Sequence, residues 1–260
     1  MSDRLQQYDI AYSLGDTCGA ALYMRRRMMR FASGPFDWLA GGDFHTRIDA
    51  IMTDFLDFLH QEDLELRERD FGHGLTFEHD YYHNVRNGLR HYHDIKTGAL
   101  LAEAFPKVQE KYERRIRRFQ HHLAHSKVLL IWFSLGQHTP DEEILRGYEQ
   151  LSQKYGKNIH LLIIEHTDDK EIVYRRLNEN IERYSTYLHV YDEAGVVRTL
   201  GDIPKTNRIL RNYAVANSRW LLFKKQAVNF VIRLFTALIP VKSLRKRIRR
   251  KLYGSSEITW

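Results

Sequence analysis

"KVLLIWFSL", residues 127–135, decides the fold. From Val128 to Phe133 every side chain is apolar, so neither parity of the run is left for water. A short strand of that composition is buried on both faces, as in the middle of a parallel sheet. Two further runs share the character: Ile10 to Leu14, and "IHLLIIEH" at 159–166. Between them lie helical patterns. "DFHTRIDAIMTDFLDFLHQ" (43–61) sets Ile48, Ile51, Met52, Phe55 and Leu59 at helical spacing. "FPKVQEKYERRIRRFQHHLA" (105–124) is amphipathic, with Pro106 placed in its first turn. "PDEEILRGYEQLSQKYG" (140–156) opens after Pro140 on an acidic turn and stops at Gly156. "DDKEIVYRRLNENI" (168–181) reads as one more helix. Alternation of this kind predicts an α/β fold with a mostly parallel central sheet flanked by helices.

Residues 70–98, rich in Gly, Asn, His and aromatics, interrupt the alternation as an irregular His-rich insertion or a small hairpin. The chain divides into an α/β catalytic-type domain over 1–215 and a basic amphipathic tail over 216–260. From Ile203 to Ser256 there are 14 Lys and Arg and no Asp or Glu, against totals of 40 basic and 33 acidic side chains. The remainder therefore holds 40 − 14 = 26 basic against 33 acidic groups, a net of −7. An acidic body speaks against a nucleic-acid face. The tail couples "WLLFKKQAVNFVIRLFTALIPV" to "KSLRKRIRRKLYG", which suits a helix lying in a membrane interface. Lys242, Arg245, Lys246, Arg247, Arg249, Arg250 and Lys251 would then meet acidic head groups. Docking of the same helix on the body is the alternative. One cysteine excludes an internal disulfide, and "MSDRLQQYDI" has no apolar signal region. The expected location is cytoplasmic, with peripheral attachment to the inner face of the cytoplasmic membrane.

Ligands of parallel α/β sheets bind at the carboxyl ends of the strands. Three turns fall there: "SLGDTCGAA" around Cys18, the turn with Gln137 and His138, and His166 to Asp169. "SLG" ends two of the strands, at Ser13–Gly15 and Ser134–Gly136. With Cys18 in the first helical turn, nearby amides and the helix dipole would lower its pKa. Amides of Gly15, Asp16 and Gly19 would hold an oxyanion. The other reading of a lone cysteine is a small buried hydrophobe. Nine of the 14 histidines lie between His60 and His125, but no zinc spacing is complete and no metal site is expected.

The block "SLGDTCGAALYMRRRMMRFASGPFDWL" (13–39) resembles the signature of a bacterial, largely uncharacterised family of papain-like cysteine peptidases. The matching residues are Ser13, Leu14, Gly15, Cys18, Ala21, Arg25, Arg30, Pro35, Phe36, Asp37 and Trp38. A His-Asp pair before a "KYxRRIxRF" helix matches at His93 and Asp94, with Lys111, Tyr112, Arg114, Arg115, Ile116, Arg118 and Phe119 following. The resemblance covers roughly residues 8 to 170. It implies Cys18 as nucleophile and His93 as base, with Asp94 or Asp37 orienting the imidazole and an ion pair drawing the thiol toward thiolate. "FEHDYY" offers His79 and Asp80 as a second match, and His138 and His166 at the strand ends are further candidate bases. The arginine-rich helix reads as a solvated face or an anion clamp. Peptide, glycan or another small molecule would be the substrate of such a hydrolase. Coenzyme A enters only if the thiol transfers acyl groups in surface-polysaccharide assembly, and a non-catalytic scaffold of that pathway is the third reading.

Overall fold

The computed structural model describes residues 6–67, 78–136, 138–193, 195–216 and 218–237, with isolated positions up to 248. Strands β1 (Gln6–Tyr8) and β2 (Ile10–Ser13) lead into helix α1 (Gly19–Arg26), β3 (Leu39–Ala40) and α2 (Phe44–Met52). Strands β4 (Leu64–Arg67), β5 (Tyr81–Asn84) and β6 (Arg90–His91) precede the long α3 (Leu101–His125). Then come β7 (Val128–Ser134), α4 (Asp141–Tyr155), β8 (Ile159–His166), β9 (Val173–Asn178) and β10 (Ile181–Thr186). The last elements are α5 (Ile203–Leu210), β11 (Tyr213–Val215) and α6 (Ser218–Ala237).

The central sheet has the order β2-β7-β8-β10-β9 and is parallel except for β9. Alternation along the strands splits the core in two. Tyr12, Leu130, Trp132, Leu161 and Ile163 face α2, α3 and α4. Ala11, Leu129, Ile131, Phe133, Leu162 and Ile164 face α1 and α5. Both faces are covered, which is why the sequence of β7 shows no polar parity. Each fully buried large apolar side chain contributes about 1.5–3 kcal/mol. A second, antiparallel sheet of order β3-β6-β5-β4 holds the His-rich region, so the hairpin alternative applies there. Residues 68–77 of that region lie outside the described residues.

Three local expectations are corrected. The helix expected over 43–61 stops at Met52, because Asp54 and Phe55 take left-handed φ values of 54° and 62°. The Phe55 amide donates back to Ala50 across that turn, and Phe55 and Phe58 reach the core from outside the helix. Residues 168–181 form no helix: β9 folds back on β10 as an antiparallel edge hairpin, its charged side chains facing water. Helix α3 begins at Leu101, so Pro106 sits in its second turn, not its first. Strand β11 pairs with β1, and α6 follows directly after.

Candidate active site

Because β2, β7, β8 and β10 are parallel, Ser13, Ser134, His166 and Thr186 end at one edge of the sheet. The turn from β2 into α1 is held there from several sides. Asp16 accepts from the Ser134 hydroxyl (2.7 Å), joining the two "SLG" turns. The Asp16 carbonyl accepts from the Gly41 amide (3.1 Å), tying the turn to the chain beside β3. Arg47 of α2 is wholly buried, stacked toward Phe36 and Trp132, and donates to the Gly15 carbonyl (3.3 Å). Burial lowers the Arg47 pKa to about 10, while Nε and Nη1 find no partner. A Cβ on Gly15 would lie 3.0 Å from the Phe133 carbonyl, and one on Gly19 2.8 Å from the Phe133 ring. Glycine at both positions lets the turn lie directly on β7.

Cys18 is the N-cap of α1, half-buried against the same apolar cluster as Trp38. Burial pushes its thiol up to about 11, over the opposing hydrogen bond of its own amide, and the Asp16 carboxylate adds to the rise. The expected lowering by amides and dipole is therefore overturned: desolvation is the larger effect. Asp16 itself is raised by burial, against the Ser134 hydrogen bond and Arg47. The expected oxyanion amides are also committed. Gly15 donates to Ser13 Oγ (3.2 Å), Asp16 to the Phe133 carbonyl (3.3 Å) and Gly19 to Thr17 Oγ1 (3.2 Å). Among the described residues no hydrogen bond joins the thiol to an imidazole.

Asp94 does not orient His93. It accepts from Tyr112 (2.9 Å), pairs with Lys111, and bonds His91 Nδ1 (2.7 Å). Burial would raise its pKa, but the hydrogen bond and charge of His91, with Lys111, hold it well below the usual carboxylate range. His91 is 1% exposed and its Nε2 finds no partner. The alternation of β6 turns the His91 ring onto Tyr112 of α3, inside the core, which the sequence pair His93-Asp94 does not reveal. Asp37 likewise meets no imidazole. It pairs with Arg30 (2.7 Å) and accepts from the Gly34 amide (3.0 Å), and burial keeps its pKa raised despite Arg30. Arg118 reaches the Ser33 carbonyl (3.4 Å). The arginine helix thus has two sides: Arg114 and Arg117 are solvated, and Arg115 and Arg118 are half-buried against the Pro35–Trp38 turn.

His93 is exposed and rests edge-on against Trp38 (ring centroids 5.6 Å), with His79 6.3 Å beyond it. His138 lies on Arg183 (2.8 Å) and near Glu165 (3.6 Å), an ion pair buried at the same sheet edge. His166 accepts from the Leu188 amide (2.9 Å) and stacks on His189 (3.4 Å). Its strand is two places from β2, roughly 10 Å away. Sequence reasoning passed over Glu165, Arg183 and Arg47; "IIEH" did place one charge inside an apolar strand. No group of three His, Cys, Asp or Glu side chains among the described residues is placed to hold a metal ion.

Comparison with known proteins gives one finding. The family model described as "Putative papain-like cysteine peptidase (DUF1796)" matches residues 9–169, which include Cys18, Trp38 and His93. No curated protein and no solved structure matches the chain.

Proposed function

The chain belongs to this papain-like cysteine peptidase family, and on that premise we propose that it is a cysteine hydrolase with Cys18 as nucleophile and His93 as base. The observation that carries the reading is Trp38. It packs against the apolar cluster that also holds Cys18, and its ring carries His93. In this reading the indole is the link between the two groups, since it shares the cluster of Cys18 and touches the ring of His93.

A thiol raised to about 11 disfavours a resting thiolate–imidazolium pair. At neutral pH the ionised form would cost about 5 kcal/mol, taking 1.36 kcal/mol per pKa unit. Proton transfer therefore accompanies attack. The S–H bond breaks toward a ring nitrogen of His93 as sulfur bonds the substrate carbonyl carbon. The tetrahedral species then expels its leaving group, which takes the proton back from the imidazolium. Water, deprotonated by the same imidazole, cleaves the thioester and restores the thiol.

Turnover of a panel of activated acyl esters tests the assignment. Cys18→Ser is expected to abolish it, and His93→Ala to lower kcat by ~10²–10⁴. Ester hydrolysis left intact by Cys18→Ser contradicts the proposal. Acyl transfer from coenzyme A would use the same thioester, and acetyl-CoA as donor with sugars as acceptors separates the two fates.

A further inference from the structure

The C-terminal helix α6 carries its apolar side outward. Trp220, Phe223, Phe230 and Phe235 are 62%, 70%, 64% and 72% exposed. At 100° per residue these four, with Val231 and Leu234, fall within an arc of roughly 140°. The opposite side is the covered one: Thr236 is 3% exposed, its hydroxyl donating to the Ile232 carbonyl of the same helix (2.7 Å), and Asn229 is half-buried. Lys224 falls inside the same arc, so the face is mostly apolar with one cation in it, and an exposed face of this kind marks an interaction surface. Lys224 lies over the Trp220 ring (5.3 Å), an aromatic body beside a cation, as interfacial anchors are built. Among the described residues no helix is long and apolar enough to cross a membrane.

We propose that α6 lies in the surface of an anionic lipid bilayer, aromatic arc inward and basic residues on the head groups. Charge selects the occupant. The stretch from Ile203 to Ser256 has 14 basic and no acidic side chains, so a second copy seated on α6 would bring two like-charged tails together. Acidic lipid complements both features at once. Of the seven tail cations predicted to meet the lipid, Arg245 is half-buried and the other six lie outside the described residues. The proposal is independent of the catalytic reading.

Flotation of the full chain with vesicles of phosphatidylcholine, with and without phosphatidylglycerol, tests it. The expected result is flotation with the anionic vesicles only, weakened by salt, with Trp fluorescence moving to shorter wavelength. Phe223→Glu/Phe230→Glu should lower partitioning at least roughly tenfold. Its thermal melt should not change, because both rings are exposed. Failure to float on anionic vesicles, or equal flotation of the double variant, overturns the proposal. So does a concentration-dependent dimer that the double variant abolishes, which would assign the face to a second copy.

Discussion

The Cys18 thiol offers the sharpest quantitative prediction. Its pKa is raised from an ordinary 9.0 to about 11, chiefly by burial. At pH 8 a thiol of pKa 9 is ~10% ionised and one of pKa 11 ~0.1%, a hundredfold deficit in thiolate. The more basic thiolate is intrinsically more nucleophilic, and a Brønsted slope near 0.45 returns a factor of about 8. Reaction with an aromatic disulfide reagent should therefore run roughly tenfold slower than for an unperturbed thiol, before any steric hindrance. The logarithm of the rate should climb with pH past 9 without a plateau. Asp16→Asn removes the carboxylate that adds to the rise, so it should move the curve to lower pH. Stability follows the same shift. The folded protein holds this proton more tightly than the unfolded chain, so the contribution is complete below pH 9 and lost as pH rises through 11. Its size is about 3 kcal/mol. A rate plateau below pH 8 in the free protein would show that an unseen cation outweighs burial, and the account of a neutral resting thiol would be wrong.

Asp94→Asn should destabilise the protein by about 3 kcal/mol, read as a lower urea midpoint, because His91 and Lys111 lose their buried counter-charge. The wild-type contribution is present above the ordinary carboxylate pKa of 3.8 and is lost as pH falls through the lower folded value, so the variant should show a shallower acid limb. Gly19→Ala should cost ~1–3 kcal/mol in thermal or urea unfolding. Its methyl would lie 2.9 Å from the Thr199 carbonyl, which is backbone and cannot turn aside as the Phe133 ring can.

The fold was legible where one signal had no rival. Strands β2, β7 and β8 are apolar on both parities, and α4 is bounded by Pro140 and Gly156. Reading failed where local pattern and tertiary context disagree. In β9, "VYRRLN" resembles a charged helix because an edge strand solvates both faces. In α2, apolar spacing continues past Met52 because Phe55 and Phe58 reach the same core from a turn. At the site, the sequence singled out Cys18 and the Trp38 turn but assigned Asp94 to the wrong neighbour. Adjacency in "HDIK" does not show that β6 ends at His91, which stays in the core against Tyr112, while the chain bends beyond it and leaves His93 exposed beside Trp38. The raised thiol was equally hidden, since burial against the cluster of α1 and the sheet is a property of the assembled sheet edge.

The most direct test of the central claim is to catch the acyl group on sulfur. The protein is mixed with activated acyl esters, quenched in acid within one turnover, and weighed intact before peptide mapping. The account predicts one acyl adduct on Cys18, absent in Cys18→Ser and slower to form in His93→Ala. No adduct with any ester, or one that maps elsewhere and survives Cys18→Ser, would contradict it.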